Sequence, residues 1–73
     1  MAELKYMRLV EILDHLEPDI RLSNGHDIHT AEELSLQVAY DQGAYAAEKR
    51  QGQLIIYKVR DDGVRRKAYR QVN

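Results

Sequence analysis

The sequence has no cysteine, no tryptophan and no phenylalanine, and it has only one proline. Without cysteine the chain cannot form disulfides, thiolate zinc sites, iron–sulfur clusters or a cysteine nucleophile. Five tyrosines are the only aromatic residues, so the core must be built mainly from aliphatic side chains. A chain of 73 residues is short, and chains of this size bury only about 60% of the surface that the unfolded form exposes. We therefore expect a single domain over residues 1–73, stabilised by packing alone.

Long apolar runs are also absent. Charged side chains interrupt the first 16 residues at Glu3, Lys5, Arg8, Glu11 and Asp14. This pattern is typical neither of a secretory signal nor of a transmembrane span. We expect a cytoplasmic protein that makes no contact with a membrane.

Charge is distributed unevenly along the chain, although the formal net charge is only −1. Residues 1–48 carry three basic and ten acidic side chains, for a net charge of −7. Residues 49–73 carry eight basic and two acidic side chains, for a net charge of +6. Such an asymmetry predicts a polarised surface, and a basic face is the usual footprint of a polyanionic partner.

Apolar residues at steps of three and four predict a first helix between Tyr6 and Leu16. Pro18 disfavours helical geometry at the residue before it and stops this helix near Leu16. A loop with a turn at Ser23-Asn24-Gly25 follows. Since so small a domain gains stability from a partner, we expect the apolar face of the first helix to support a homodimer.

Thr30-Ala31-Glu32-Glu33 has the pattern of a capping box and predicts a second helix that starts at Ala31. Gly43 is suited to the end of that helix, and a short third helix from Ala44 to Gln51 would follow. The alternative is one helix from Ala31 to Gln51 with Gly43 inside it, at a cost of about 1 kcal/mol relative to alanine. We favour two helices, and the alternative stays open.

The C-terminal third predicts a β-hairpin. Residues 54–59 are rich in β-branched and aromatic side chains, and Asp62-Gly63 is a hairpin signal before residues 64–72. A two-residue turn there places Ile56 opposite Tyr69. The same register places Lys58 opposite Lys67 and Arg60 opposite Arg65. Like charges directly opposite each other destabilise a ladder, so either the register differs or an anion binds there.

This order of elements resembles the winged helix-turn-helix superfamily of DNA-binding domains. The resemblance is carried by His29-Thr30-Ala31-Glu32-Glu33-Leu34-Ser35, by Gly52-Gln53-Leu54-Ile55 and by the segment from Asp61 to Tyr69. It implies an α+β fold, a small winged-helix domain with two or three helices followed by a C-terminal β-hairpin.

The resemblance also implies a function, that of a small DNA-binding transcriptional regulator of a prokaryote, a plasmid or a virus. The third helix would lie in the major groove of double-stranded DNA and the hairpin wing would contact phosphates. The groove-facing candidates are Gln42, Tyr45, Lys49 and Arg50, and the phosphate-neutralising candidates are Lys58, Arg60, Arg65, Arg66 and Lys67.

Other functions stay open. A protein-interaction module or inhibitor would dock the same basic hairpin on an acidic protein surface. Lysines and arginines on exposed strands also protect an edge from unwanted pairing. The tyrosines at positions 40, 45, 57 and 69 are suited to a stacking platform for single-stranded nucleic acid, but we favour positions in the core or at its edge, with the hydroxyl reaching water.

Catalysis and metal binding find little support in the sequence. There is no glycine-rich phosphate loop and no nucleophile elbow. His26 and His29 have a ligand-like spacing but no third ligand beside them. We expect no enzymatic activity, no cofactor and no metal.

Overall fold

A computed structural model describes residues 6–39 and 41–72 of the chain. The elements in chain order are α1 (Leu9–Asp14), β1 (Arg21–Ser23), β2 (Ile28–Thr30), α2 (Ala31–Gln37), β3 (Ala44–Arg50), β4 (Gln53–Val59) and β5 (Arg65–Gln71). The strands form one five-stranded sheet in the order β2-β1-β5-β4-β3, and the neighbouring strands are antiparallel. The expected winged-helix architecture, with two or three helices and a terminal hairpin, is therefore wrong.

The first helix is shorter than its apolar pattern predicted. It begins at Leu9, after Tyr6 and Met7, and ends at Asp14. Tyr6 is 64% exposed, while Met7 is bonded to Tyr45 through two backbone hydrogen bonds of 2.8 and 3.0 Å. Residues 6 and 7 are thus not part of the helix, because Met7 extends the edge of the sheet beside β3.

The second helix begins at Ala31, as the capping pattern predicted. The Glu33 amide donates to the Thr30 hydroxyl oxygen at 3.2 Å, and that hydroxyl donates to the Glu33 carboxylate at 3.0 Å. The helix ends at Gln37, well before Gly43. Both sequence-based alternatives, a helix that stops at Gly43 and a helix that runs through it, are therefore wrong.

Residues 44–50 form β3 where the sequence predicted a third helix. Alanine, glutamate, lysine and arginine favour helices, but a helix of about eight residues is marginal in water on its own. As a strand, the segment pairs with β4 from Ala44↔Val59 to Arg50↔Gln53. Gln51 and Gly52 join the two strands with φ values of 52° and 80°, the positive values that a two-residue hairpin turn requires.

The terminal hairpin of β4 and β5 is confirmed, but its register agrees with the prediction only in part. Ile56 lies opposite Tyr69 as expected. Nearer the turn, Tyr57 lies opposite Lys67, Lys58 opposite Arg66 and Val59 opposite Arg65. Two irregularities explain the shift: the turn holds three residues between Arg60 and Val64, and Ala68 is an extra residue in β5.

Both helices pack on the same face of the sheet. Buried side chains of α1, α2, β1, β3 and β4 form a single cluster, made of Leu9, Ile12, Leu13, Leu22, Ala31, Leu34, Tyr45, Leu54 and Ile56. The apolar face of α1 is therefore used within its own chain. A homodimer stays a prediction, but these α1 side chains are not exposed to form it. None of the helices within residues 6–39 and 41–72 has the length and apolar character needed to cross a membrane.

Candidate functional site

The face of the sheet opposite the helices carries the side chains that alternate with the core positions. We call it the open face, because no helix within the described ranges covers it. Its register is set by the strand pairs that run Ala46↔Tyr57↔Lys67 and Glu48↔Ile55↔Arg70↔Ser23↔Ile28. Ala46 and Ile55 are buried yet lie outside the helix-side cluster, which agrees with their being covered by longer side chains on this second face.

Cations dominate the open face. By the same alternation it carries the side chains of Arg21, Arg50, Arg65, Lys67 and Arg70. One acidic residue, Glu48, lies among them, and its carboxylate is paired with the Arg50 guanidinium at 3.1 Å. The helix side exposes acidic residues instead, including Glu11, Asp14, Glu32 and Glu33. The fold thus places five basic side chains on the open face and the acidic side chains of α1 and α2 on the helix side.

A β-bulge determines which cations of β5 share this face. Residues 65 and 67 alternate with residue 66, so a regular strand would place residue 70 on the face of residue 66. The extra residue at Ala68 changes that alternation. As a result Arg65, Lys67 and Arg70 all lie on the open face, which is the kind of re-aiming that bulges produce near binding sites.

Tyr57 lies near the middle of the open face, between Ala46 on β3 and Lys67 on β5. The Arg65 guanidinium carbon lies over its ring at 5.4 Å from the ring centroid, within cation–π range. The ring is half-buried, and its neighbour Ala46 is small. The sequence predicts Tyr57 in the core or at its edge, and the structure places it outside the helix-side cluster, on the open face.

A groove of about 480 Å³ adjoins this aromatic centre. It opens because β1 pairs with β5 only at Leu22 and Ser23, after which the Asn24-Gly25 turn diverges from β5. Lys67 and Arg70 line the groove together with Ser23, Ile28 and Tyr69. Lys67 also belongs to the row of Tyr57, so the groove and the aromatic centre are adjacent.

The structure divides the nine residues that the sequence singled out. Arg50, Arg65 and Lys67 lie on the open face. Lys49, Lys58 and Arg66 alternate with them and point to the helix side at the margins of the sheet, where they are exposed. Gln42 lies in the loop before β3, and Arg60 lies at the hairpin turn, where it is paired with Asp62 at 3.1 Å.

Tyr45 is the member of that set that the structure buries. It is 4% exposed and packs in the core, and its hydroxyl donates to the Asp41 carboxylate at 2.6 Å. This hydrogen bond, with a second one from the Gly43 amide, lowers the pKa of Asp41 below its usual 3.8. Burial, together with the bond to Asp41, raises the pKa of the Tyr45 hydroxyl. The pair closes the loop before β3 and has a structural role.

Sequence reasoning missed two cations of the open face, Arg21 and Arg70. Arg21 lies in the acidic half of the chain, and only the pairing of β1 with β5 brings it to the basic strands. In a regular strand, Arg70 would lie on the opposite face from Arg65 and Lys67. No local pattern in the sequence announces the bulge that unites them. Tyr40, also considered as an aromatic contact, lies outside the described residues.

No protein-family model, no curated protein and no solved structure gives a significant match to the chain.

Proposed function

We propose that the protein binds nucleic acid on the open face of its sheet. The observation that carries the proposal is the grouping of Arg65, Lys67 and Arg70 around Tyr57 on a face that neither helix covers. Cations neutralise phosphates and supply affinity that depends on salt. An aromatic ring among them adds a contact that bases make through their flat faces.

The mode of binding differs from the one the sequence suggested. A third helix in the major groove is not proposed again, because residues 44–50 are a strand. The sheet itself is too wide for that groove, since five strands span roughly 19 Å at 4.8 Å per spacing, and the groove of B-DNA is about 12 Å wide. The open face would therefore contact the backbone of a duplex or lie along a single strand.

The proposal predicts salt-dependent binding that is lost with the open-face cations. Fluorescence anisotropy would follow labelled random-sequence oligonucleotides, a duplex of ~30 base pairs and its separated strand, from about 50 to 200 mM salt. The triple variant Arg65→Gln, Lys67→Gln, Arg70→Gln should lower affinity roughly tenfold to a hundredfold at the lowest salt. It should also reduce the salt slope by about 1.4 to 2.1 for a single strand, as expected for the loss of two or three phosphate contacts.

A matched control removes the same amount of positive charge from the other side of the sheet. The triple variant Lys49→Gln, Lys58→Gln, Arg66→Gln removes three cations that point to the other side. It should change affinity by no more than about threefold, since only long-range attraction is affected. Equal losses in both variants would show that net charge rather than the open face determines binding. Absence of binding to every oligonucleotide at 50 mM salt would contradict the function, and an acidic protein partner would then be the hypothesis to pursue.

A further inference from the structure

Tyr57 is the one aromatic side chain that the described residues place on the open face. Tyr45 and Tyr69 pack against the helix-side core, and Tyr6 lies outside the strands. Along β4 the neighbours of Tyr57 on the same face are Ile55 and Val59, which are apolar. The ring therefore sits in a small apolar area with cations on the β5 side, an environment that suits the flat face of a base better than a phosphate.

The Arg65 guanidinium extends this aromatic centre. A guanidinium plane that contacts a ring is itself a surface on which bases stack. The contact also restrains both side chains before a ligand arrives, which lowers the entropy lost on binding. The strand register near the turn makes the contact possible, because the pairs Tyr57↔Lys67 and Val59↔Arg65 place Arg65 diagonally across from Tyr57 on the same face.

The adjacent groove offers a place for the backbone that follows such a base. Lys67 lies in the row of Tyr57 and lines the groove, and Arg70 lies on the same wall. Ser23 of β1 also lines the groove, and its hydroxyl oxygen accepts from the Gly25 amide at 3.0 Å. Stacking surface and cationic groove are thus neighbours, as they must be when a base and its own phosphates are bound together.

We infer that the preferred ligand is a single-stranded nucleic acid, with one base stacked on Tyr57 and Arg65 and the neighbouring phosphates held by Lys67 and Arg70. This inference rests on the proposed function and makes it more specific. The bases of a duplex are already stacked on one another, so a duplex presents only its backbone to a face too wide to enter the groove. A single strand presents both its bases and its phosphates to the sheet.

The test compares oligonucleotides that share a backbone but differ in their bases. Fluorescence anisotropy at about 100 mM salt would use a mixed-sequence 15-mer as DNA and as RNA, the matching duplexes and a 15-mer of abasic deoxyribose phosphates. We expect at least one of the two single strands to bind roughly fivefold to fiftyfold more tightly than the abasic chain and its own duplex, the range expected from stacking one base. The tighter of the two single strands identifies the sugar that the protein prefers.

Variants at Tyr57 separate stacking from charge. Tyr57→Leu should lose the preference for bases and leave affinity for the abasic chain unchanged, whereas Tyr57→Phe should keep the preference. Tyr6→Leu is the matched control, because Tyr6 is an exposed tyrosine outside the sheet and its replacement should change nothing. Circular dichroism and thermal unfolding would show that each variant is folded.

A second readout avoids truncating the Tyr57 side chain, which could lower the stability of the protein. The chain has no tryptophan, so Tyr57→Trp introduces a single tryptophan at the stacking position, and its emission is distinct from that of the remaining tyrosines. Its emission should be quenched by the 15-mer and little changed by the abasic chain. Equal affinity for the 15-mer, the duplex and the abasic chain, with no quenching, would overturn stacking while leaving nucleic-acid binding in place. Failure of all these ligands to bind would overturn the proposed function as well.

Discussion

At the scale of single residues, the Asp41–Tyr45 pair stabilises the loop that leads into β3. Tyr45 is almost fully buried at the start of β3, where Met7 also bonds to its backbone. The Asp41 carboxylate accepts from the Tyr45 hydroxyl and from the Gly43 amide. The sequence predicts Tyr45 as a DNA contact, because the predicted helix from Ala44 to Gln51 would lie in the major groove. Side chains of a strand alternate between its two faces, and Tyr45 lies on the face that packs in the core. This position can be recognised only when residues 44–50 are known to form a strand.

Removing the Tyr45 hydroxyl should destabilise the protein without affecting nucleic-acid binding. Tyr45→Phe leaves the Asp41 carboxylate without one donor, and a hydrogen bond to a charged group of this kind contributes about 1.5 to 3 kcal/mol at neutral pH. Urea unfolding followed by circular dichroism measures the difference. Tyr6→Phe, at an exposed position, is the control and should have no effect. A Tyr45→Phe protein as stable as the parent at pH 7 would show that the bond contributes nothing.

The same pair predicts a pH dependence. The pKa of Asp41 is lowered on folding, so its stabilising contribution is present above pH 3.8 and is lost as pH falls through the lowered value. The pKa of Tyr45 is raised on folding, so its contribution is present below pH 10 and is lost as pH rises through the raised value. The stability difference between the parent and Tyr45→Phe should therefore be constant between these limits and should narrow outside them. Unfolding measured at intervals from below pH 3.8 to above pH 10 checks the prediction. A stability difference that widens in acid would contradict it.

At the scale of elements, the sequence predicted those parts of the fold that local signals determine. The start of α2 at Ala31 and the pairing of β4 with β5 follow from a capping pattern and from a β-branched segment with a turn. The element at residues 44–50 could not be predicted in this way, because helix-forming residues there are overridden by pairing with β4. Gly52, which directly follows the predicted helix from Ala44 to Gln51, occupies the second position of a hairpin turn instead. The open face depends on this correction, since β3 carries Ala46 and Arg50.

The β3–β4 turn should respond to substitution as a turn with two positive φ values. Gly52 has a φ of 80° and open space around it, so Gly52→Ala should cost about 1 kcal/mol through backbone strain alone. Gln51, with a φ of 52°, should be improved by asparagine, which tolerates this region better, by a few tenths of a kcal/mol. Thermal or urea unfolding of the two variants measures whether each one loses or gains stability. A gain in stability from Gly52→Ala would contradict the turn and would agree with a helical segment.

At the scale of the whole molecule, the fold turns a charge asymmetry along the chain into an asymmetry between two faces. The sequence could predict that a basic surface exists, because eight of the eleven basic residues follow position 48. It could not predict which cations share a face, because that depends on the bulge at Ala68 and on the pairing of β1 with β5. Three of the nine residues singled out from the sequence lie on the open face, and Arg21, Tyr57 and Arg70 join them only in the folded chain.

The most direct test of this account is to map the bound face by NMR. ¹H–¹⁵N spectra recorded during titration with a single-stranded 15-mer would locate the residues that a ligand contacts. We predict that the largest shift changes fall on β4, β5 and the Ser23–Gly25 turn, centred on Tyr57, Arg65, Lys67 and Arg70, while α1 and α2 remain unchanged. Shift changes confined to the helices or to the loop at Asp41–Gly43, or an unchanged spectrum at saturating oligonucleotide, would contradict the open face as a nucleic-acid interface.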